Sequence, residues 1–223
     1  MVRSADHLGL FDEVQYTRRD WRNRNLVLGP SGPKWLTIPV QVSGNYEARI
    51  GEIKCVDKTW TRSHLSTLES FYRKHEPFEE LRYQLQEIYS ELSELEMLSD
   101  INRRMLEWLF SLLRIDCGIS VTLTNETALR KSQRLLQICN GLGATEYVSG
   151  PSARSYLQEK VFHESKINIR WIDYRLLPKR QDVEWQGLEF SILHLLLSIG
   201  VEETIRMSTF GADKTPLPEE GES

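Results

Sequence analysis

The chain has 223 residues, of which 40% are apolar and 9% aromatic, enough for one packed domain and too much for a minimal binding module. Lysine and arginine total 28 against 32 aspartate and glutamate, a net charge of −4, which argues against a general polyanion-binding surface and leaves any phosphate recognition to a local cluster. No window holds the roughly 18 uninterrupted apolar residues of a membrane-spanning helix, and no apolar stretch follows the charge at Met1-Val2-Arg3-Ser4-Ala5-Asp6. A cytoplasmic protein without a secretory signal is expected.

In chain order, His7-Leu8-Gly9-Leu10-Phe11 reads as a short buried strand. A polar, aromatic-studded stretch, Arg18 to Asn25, leads into Leu26-Val27-Leu28 and a Gly29-Pro30-Ser31-Gly32-Pro33 turn. With the apolar run Trp35 to Val40, this predicts a hairpin. A further strand from Ile50 to Val56 is expected to pair across Ser43-Gly44-Asn45. From Trp60 the period becomes helical, with Leu65, Leu68 and Tyr72 on one face until Pro77 interrupts it. Phe78, Leu81, Leu85, Ile88, Leu92 and Leu95 continue the spacing, and Ile101, Met105, Trp108 and Leu112 resume it after a break near Ser99-Asp100. This is a helical hairpin or a bent long helix, packed within the monomer in preference to a dimer seam.

The second half alternates strand and helix. Strand Ile119 to Leu123 precedes a helix through Leu129, Leu135, Leu136 and Cys139; strand Glu146 to Val148 precedes a helix from Pro151 and strand Ile167 to Ile172. That order predicts parallel strands with crossover helices, a Rossmann-like, mainly parallel α/β sheet carrying a β-hairpin and a helical-hairpin insertion. Ser191 to Ile199 closes as an apolar helix before Gly200. The expected organisation is a single α/β domain over 1–210, with 57–114 as the mainly helical insertion, and a disordered acidic tail over 211–223.

Candidate chemistry is sparse. Arg18, Arg19, Arg22 and Arg24 fall within seven positions beside Tyr16, Trp21, Asn23 and Asn25. Guanidinium forks suit phosphate or carboxylate, so this is either an anion-binding loop or a solvated loop with arginines paired to Asp12, Glu13 and Asp20. Ser149-Gly150-Pro151 after a strand is either a ligand loop or an ordinary parallel-sheet turn. His64 lies four residues from both Trp60 and Leu68 and is expected to be partly buried, structural or catalytic. The other histidines show no metal-ligand spacing, and Cys55, Cys117 and Cys139 are odd in number and far apart, so neither a metal site nor a disulfide framework is expected. No nucleophile-elbow pattern is present.

Beyond this, two long blocks carry a resemblance: Asp12-Glu13-Val14-Gln15-Tyr16-Thr17-Arg18-Arg19-Asp20-Trp21-Arg22-Asn23-Arg24-Asn25, and Gly32-Pro33-Lys34-Trp35-Leu36-Thr37-Ile38-Pro39-Val40. Together with Trp60 and His64, Tyr72-Arg73-Lys74, Asn102, Arg134-Leu135-Leu136 with Cys139, Gly143-Ala144, Tyr147-Val148-Ser149-Gly150-Pro151 and Ser191-Ile192-Leu193, they resemble the WbqC-like family of bacterial surface-polysaccharide gene clusters. Two departures stand out. Met1-Val2-Arg3-Ser4 resembles the end of a helix that in the family follows a strand and a His-Gln-Pro loop, so those first elements are expected to be missing here. His194 and Ser198 stand where the family usually has aspartate and asparagine.

The resemblance implies a transferase joining a glycyl or related acyl group to the amine of an O-antigen amino sugar. Its partners would be a nucleotide-linked or lipid-linked amino sugar and an activated acyl donor; cofactor and oligomeric state stay open. On that reading Gln15, Arg19, Trp21, Asn23, Arg24 and Asn25 hold the ligand, Ser149 and Gly150 add backbone donors to it, and His64 is the general base, since a neutral imidazole accepts a proton near neutral pH. The alternatives are a non-catalytic descendant, inactive through truncation, that binds a nucleotide sugar or a partner, and a nucleic-acid-binding protein, which the acidic remainder of the chain disfavours.

Overall fold

The computed structural model describes residues 1–42, 44, 47–121, 131–173 and 189–209. Chain contacts divide them into two compact units. One combines the amino-terminal ten residues with the chain from Asp116 and the end of the last helix; the other comprises Phe11–Ile115 and the chain up to Arg206 that precedes that end.

The first unit is a mixed α/β body with parallel pairing. Strand β1 (His7–Leu10) pairs in parallel with β6 (Gly118–Val121), Leu8 opposite Ile119. Strand β7 (Glu146–Ser149) pairs in parallel with β8 (Asn168–Trp171). Helix α4 (Lys131–Gly141) lies between β6 and β7 in sequence, and α5 (Glu159–Glu164) between β7 and β8. Cys139, Leu157, Phe162 and Ile167 form the apolar cluster beneath them. Arg170 of β8 pairs with Glu146 of β7 at 2.6 Å and also donates to the Ser4 carbonyl just ahead of β1. Among the described residues all strands form two-stranded ladders, and no ladder joins the two parallel pairs. The chain from Pro151 is a 3-10 turn rather than a regular helix, ending at Ser155. Thr122, Leu123, Leu129 and the tail 211–223 lie outside the described residues.

The second unit carries the hairpin and most helices. Strands β2 (Arg24–Gly29) and β3 (Gly32–Thr37) pair antiparallel around Pro30-Ser31. Pro30 presets φ where the turn begins, and Gly32 takes a φ of 103°, open to glycine at little cost. Strand β4 (Val40–Gln41) pairs with β5 (Lys54–Cys55). The expected strand from Ile50 is therefore shorter: Ile50–Glu52 is a 3-10 turn, held because the Glu52 carboxylate accepts the Arg49 N–H at 2.8 Å and the Asp12 carbonyl accepts the Gly51 N–H at 2.9 Å.

Helix α1 (Thr59–Tyr72) starts where the Asp57 carboxylate accepts the Thr59 N–H. Helix α2 (Glu76–Glu94) opens with Pro77 in its first turn, where a missing N–H costs nothing. Its stripe of Phe78, Leu81, Leu85, Ile88 and Leu92 is buried. The break before α3 (Leu98–Leu112) falls earlier than the spacing suggests, at Leu95 to Met97, because this stretch bonds to the β5 region: the Cys55 N–H reaches the Glu96 carbonyl and the Leu98 N–H the Ile53 carbonyl. Helix α6 (Ile192–Ile199) is capped by the Ser191 hydroxyl, which accepts the Leu193 N–H, and packs its Leu193, Leu196 and Leu197 into the same core as α2. Gly200, at φ 88°, ends it, and a further helix, α7 (Val201–Thr209), follows beyond the expected closing helix. No described helix is long and apolar enough to cross a membrane.

Candidate functional site

A cleft of about 350 Å³ opens where β3 meets α1. From α1 come Thr59 at its start and Trp60, Ser63, His64 and Thr67, these four spaced by three and four so that they share one helical face. From the hairpin come Lys34, Trp35, Leu36 and Thr37. Lys34 Nζ donates to Thr67 Oγ1 at 3.0 Å, and that hydroxyl in turn donates to the Ser63 carbonyl at 2.9 Å.

His64 is 7% exposed. Its Nε2 lies 3.1 Å from the Thr37 carbonyl, which can only accept, so Nε2 carries the proton and donates. Nδ1 then holds the lone pair, facing the buried Tyr89 hydroxyl at 3.5 Å. Trp60 meets the imidazole edge-on at 5.0 Å, and Tyr89 at 5.9 Å completes the aromatic wall. Burial pushes His64 down from its usual 6.5 to about 4; the Thr37 carbonyl opposes that shift, and nearby Lys34 adds to it. At neutral pH the ring is uncharged. Burial likewise raises the Tyr89 phenol, so its proton stays in place.

The Gln15 to Asn25 segment lies in the same unit. Gln15 bridges to Arg49, and the Tyr16 N–H bonds to the Ala48 carbonyl. Arg18 donates to the Val42 carbonyl at 3.2 Å. Arg22 pairs with Asp20, as the solvated-loop alternative expects, and the Asn102 side chain donates to the Arg22 carbonyl. Asp12 instead accepts from the Ser99 hydroxyl. Arg19, at φ 59°, turns its carbonyl toward Arg24, which donates to it at 2.7 Å. Arg24 also stacks over the Trp35 ring, 4.1 Å from its centroid. Trp21 meets Trp35 at 5.4 Å. Asn23 and Asn25 serve the backbone: Asn23 donates to the Ile38 carbonyl at 3.0 Å, and Asn25 Oδ1 accepts the Leu26 N–H.

Ser149 and Gly150 belong to the other unit, at the carboxyl end of β7. Ser149 is buried, its carbonyl accepts the Ile172 N–H at 2.9 Å, and its side chain bonds to Tyr147. Gly150 has extended backbone and accepts the Ala153 N–H. His194 is buried in α6, its Nδ1 at 2.9 Å from the Tyr72 hydroxyl, and Ser198 donates back to the His194 carbonyl within the helix. Among the described residues no group of three or more histidine, cysteine, aspartate or glutamate side chains is placed to hold a metal ion.

Sequence reasoning singled out Trp21, Arg24 and His64 but gave no role to Lys34, Trp35, Ser63, Thr67 or Tyr89. The hydroxyls at 63 and 67 share the helical face of Trp60 and His64, a signal the spacing contains. The Thr37 carbonyl and Tyr89 join the site through tertiary contacts that no local pattern carries.

The sequence model of the WbqC-like protein family matches residues 1–206. An uncharacterized protein of Mycobacterium tuberculosis is 39% identical over 204 residues, covering 91% of this chain and 87% of that protein. No solved structure gives a significant match. The chain belongs to the WbqC-like protein family.

Proposed function

We propose, from that membership, that the chain is a cytoplasmic transferase moving a glycyl or related acyl group onto an amino sugar in bacterial surface-polysaccharide biosynthesis. The observation that carries the reading is the β3–α1 cleft, where an uncharged His64 stands beside the Lys34 ammonium and the Ser63 and Thr67 hydroxyls. The sugar amine attacks the acyl carbonyl of an activated donor. A carbon–nitrogen bond forms, the bond to the donor's leaving group breaks, and the amine proton passes to His64. For this the ring exchanges tautomers: Nδ1–H turns to the Tyr89 oxygen, and Nε2, released from Thr37, accepts the proton. Lys34 stabilises the developing oxyanion. In the same reading β1, β6, β7 and β8 belong to one Rossmann-like sheet of a single domain over 1–210 with 57–114 inserted. The two parallel ladders and the Arg170 donation to the Ser4 carbonyl support the common sheet.

A second reading, a non-catalytic binder of the same sugar, is favoured by one observation: His64 Nε2 already donates to Thr37, and a group titrating near 4 is a weak base. The experiment that separates them incubates the protein with a nucleotide-linked amino sugar and a glycyl thioester, with mass spectrometry for the glycyl amide. The transferase reading expects product, and a fall in turnover of roughly 10² to 10⁴ in His64→Gln with the fold retained. Sugar binding without product, by parent and variant alike, selects the binder.

A further inference from the structure

The hairpin displays two large rings to solvent. Trp21 is 51% and Trp35 40% exposed, and their centroids lie 5.4 Å apart at a tilt of 50°, so they form one aromatic patch. Contiguous exposed aromatic surface marks a binding surface more often than chance placement does. Arg24 lies diagonally across the ladder from Trp35, and its guanidinium rests 4.1 Å from the indole centroid, tethered by its bond to the Arg19 carbonyl. Its Nε is buried and has no hydrogen-bond partner. Lys34, the next residue in β3, bonds the neutral Thr67 hydroxyl. Among the described residues neither Arg24 nor Lys34 pairs with a carboxylate, whereas Arg22, Arg104, Arg114 and Arg170 all do. In a chain of net charge −4, two cations that pair with no described carboxylate, beside one exposed indole, suit negative charge supplied by a ligand.

We propose that this edge of the hairpin binds a nucleoside diphosphate unit, its base stacked on Trp35 with the tilted Trp21 ring at its edge, and its phosphates held by Arg24 and Lys34. A base presents a flat π face to the indoles, and a guanidinium already stacked on Trp35 loses little freedom when it meets a phosphate oxygen. Side chains alternate along a strand, so Trp35 and Lys34 leave opposite faces of β3, while both line the cleft beside His64. The ligand must therefore be long enough to follow the strand edge, which a base joined to two phosphates is and a lone sugar phosphate is not. The inference deepens the transferase reading and rests on it for the identity of the attached group, since it places the non-reacting part of a nucleotide-linked amino sugar next to the cleft.

The test is calorimetry on the full chain with UDP, ADP, pyrophosphate and glucose 1-phosphate as probes. At least one nucleoside diphosphate should bind, about 10-fold or more weaker in Trp35→Ala and nearly unchanged in Trp35→Phe. Arg24→Gln and Lys34→Met should each weaken it about 10-fold, and should weaken pyrophosphate too, which Trp35→Ala weakens less than it weakens the nucleotide. Circular dichroism confirms that each variant is folded. Binding of neither nucleotide, equal affinity in Trp35→Ala and parent, or glucose 1-phosphate binding as tightly as the nucleotides would overturn the proposal. Acyl transfer that survives Trp35→Ala with unchanged KM removes the platform and leaves the transferase; nucleotide binding with this pattern but no transfer does the reverse.

Discussion

His64 joins the fold and the candidate chemistry in one side chain, and its protonation is where the two separate. In the folded chain burial holds it near 4, whereas an exposed histidine titrates at about 6.5. As pH falls through that window the unfolded chain takes up the proton first, so stability is full above 6.5 and is lost progressively down to about 4. The loss attributable to this ring reaches about 3 kcal/mol at the bottom of the window. In His64→Gln a neutral amide can still donate to the Thr37 carbonyl. Urea midpoints from pH 7.5 to 4.5 should therefore fall more steeply for the parent than for this variant. Equal slopes would mean that the ring is protonated inside the fold at ordinary cost, and the neutral-imidazole chemistry would lose its basis.

At the scale of elements, the contact between the hairpin and α1 sets the width of the cleft. It is narrow at Gly29: a Cβ there would lie 2.3 Å from Cδ2 of Phe71 in α1, and two further ring atoms are within 2.5 Å. Gly29→Ala gains roughly 0.4 to 1 kcal/mol from a stiffer unfolded chain, but overpacking costs roughly 1 to 3 kcal/mol, so the clash wins. Net destabilisation is expected in denaturant titration, with partial recovery in Gly29→Ala, Phe71→Leu. A neutral Gly29→Ala would show that α1 is free to move from the hairpin. Elements with strong local signals, the Pro30 turn, the α2 stripe and the β7 and β8 strands, were legible in the sequence because period and turn chemistry act within a few residues. The start of β5, the break before α3 and the existence of α7 were not. Each depends on a bond to a distant segment or on a helix resuming after a glycine stop. The same division runs through the candidate site: His64 beside Trp60 follows from helical spacing, while its Thr37 and Tyr89 partners, 27 and 25 residues away, do not.

For the whole molecule the question is whether apolar burial or surface charge holds the chain together. Ion pairs abound, but Arg82 with Glu69, Arg114 with Glu202 and Arg206 with Glu203 are all largely exposed. Such pairs contribute about 0 to 1 kcal/mol each and are screened by salt. The apolar clusters differ in kind. Leu68, Leu85, Ile88, Leu196 and Leu197 are at most 1% exposed and belong to one core shared by α1, α2 and α6. Leu197→Ala removes buried carbon and leaves a cavity, at a cost of about 2 to 5 kcal/mol. Arg114→Ala removes an exposed pair and should cost under about 1 kcal/mol. At roughly 2 to 4 °C per kcal/mol for a chain of this size, thermal scans should show a clear drop for the first and almost none for the second. Raising the salt from low to moderate concentration should likewise leave the parent's midpoint nearly still, while on the proposed role of Arg24 and Lys34 the binding of a phosphorylated probe should weaken. If Arg114→Ala instead proves as damaging as Leu197→Ala, or salt alone lowers the midpoint by several degrees, the charge network carries the fold, and two hairpin cations that pair with no described carboxylate can no longer be read as reserved for a ligand.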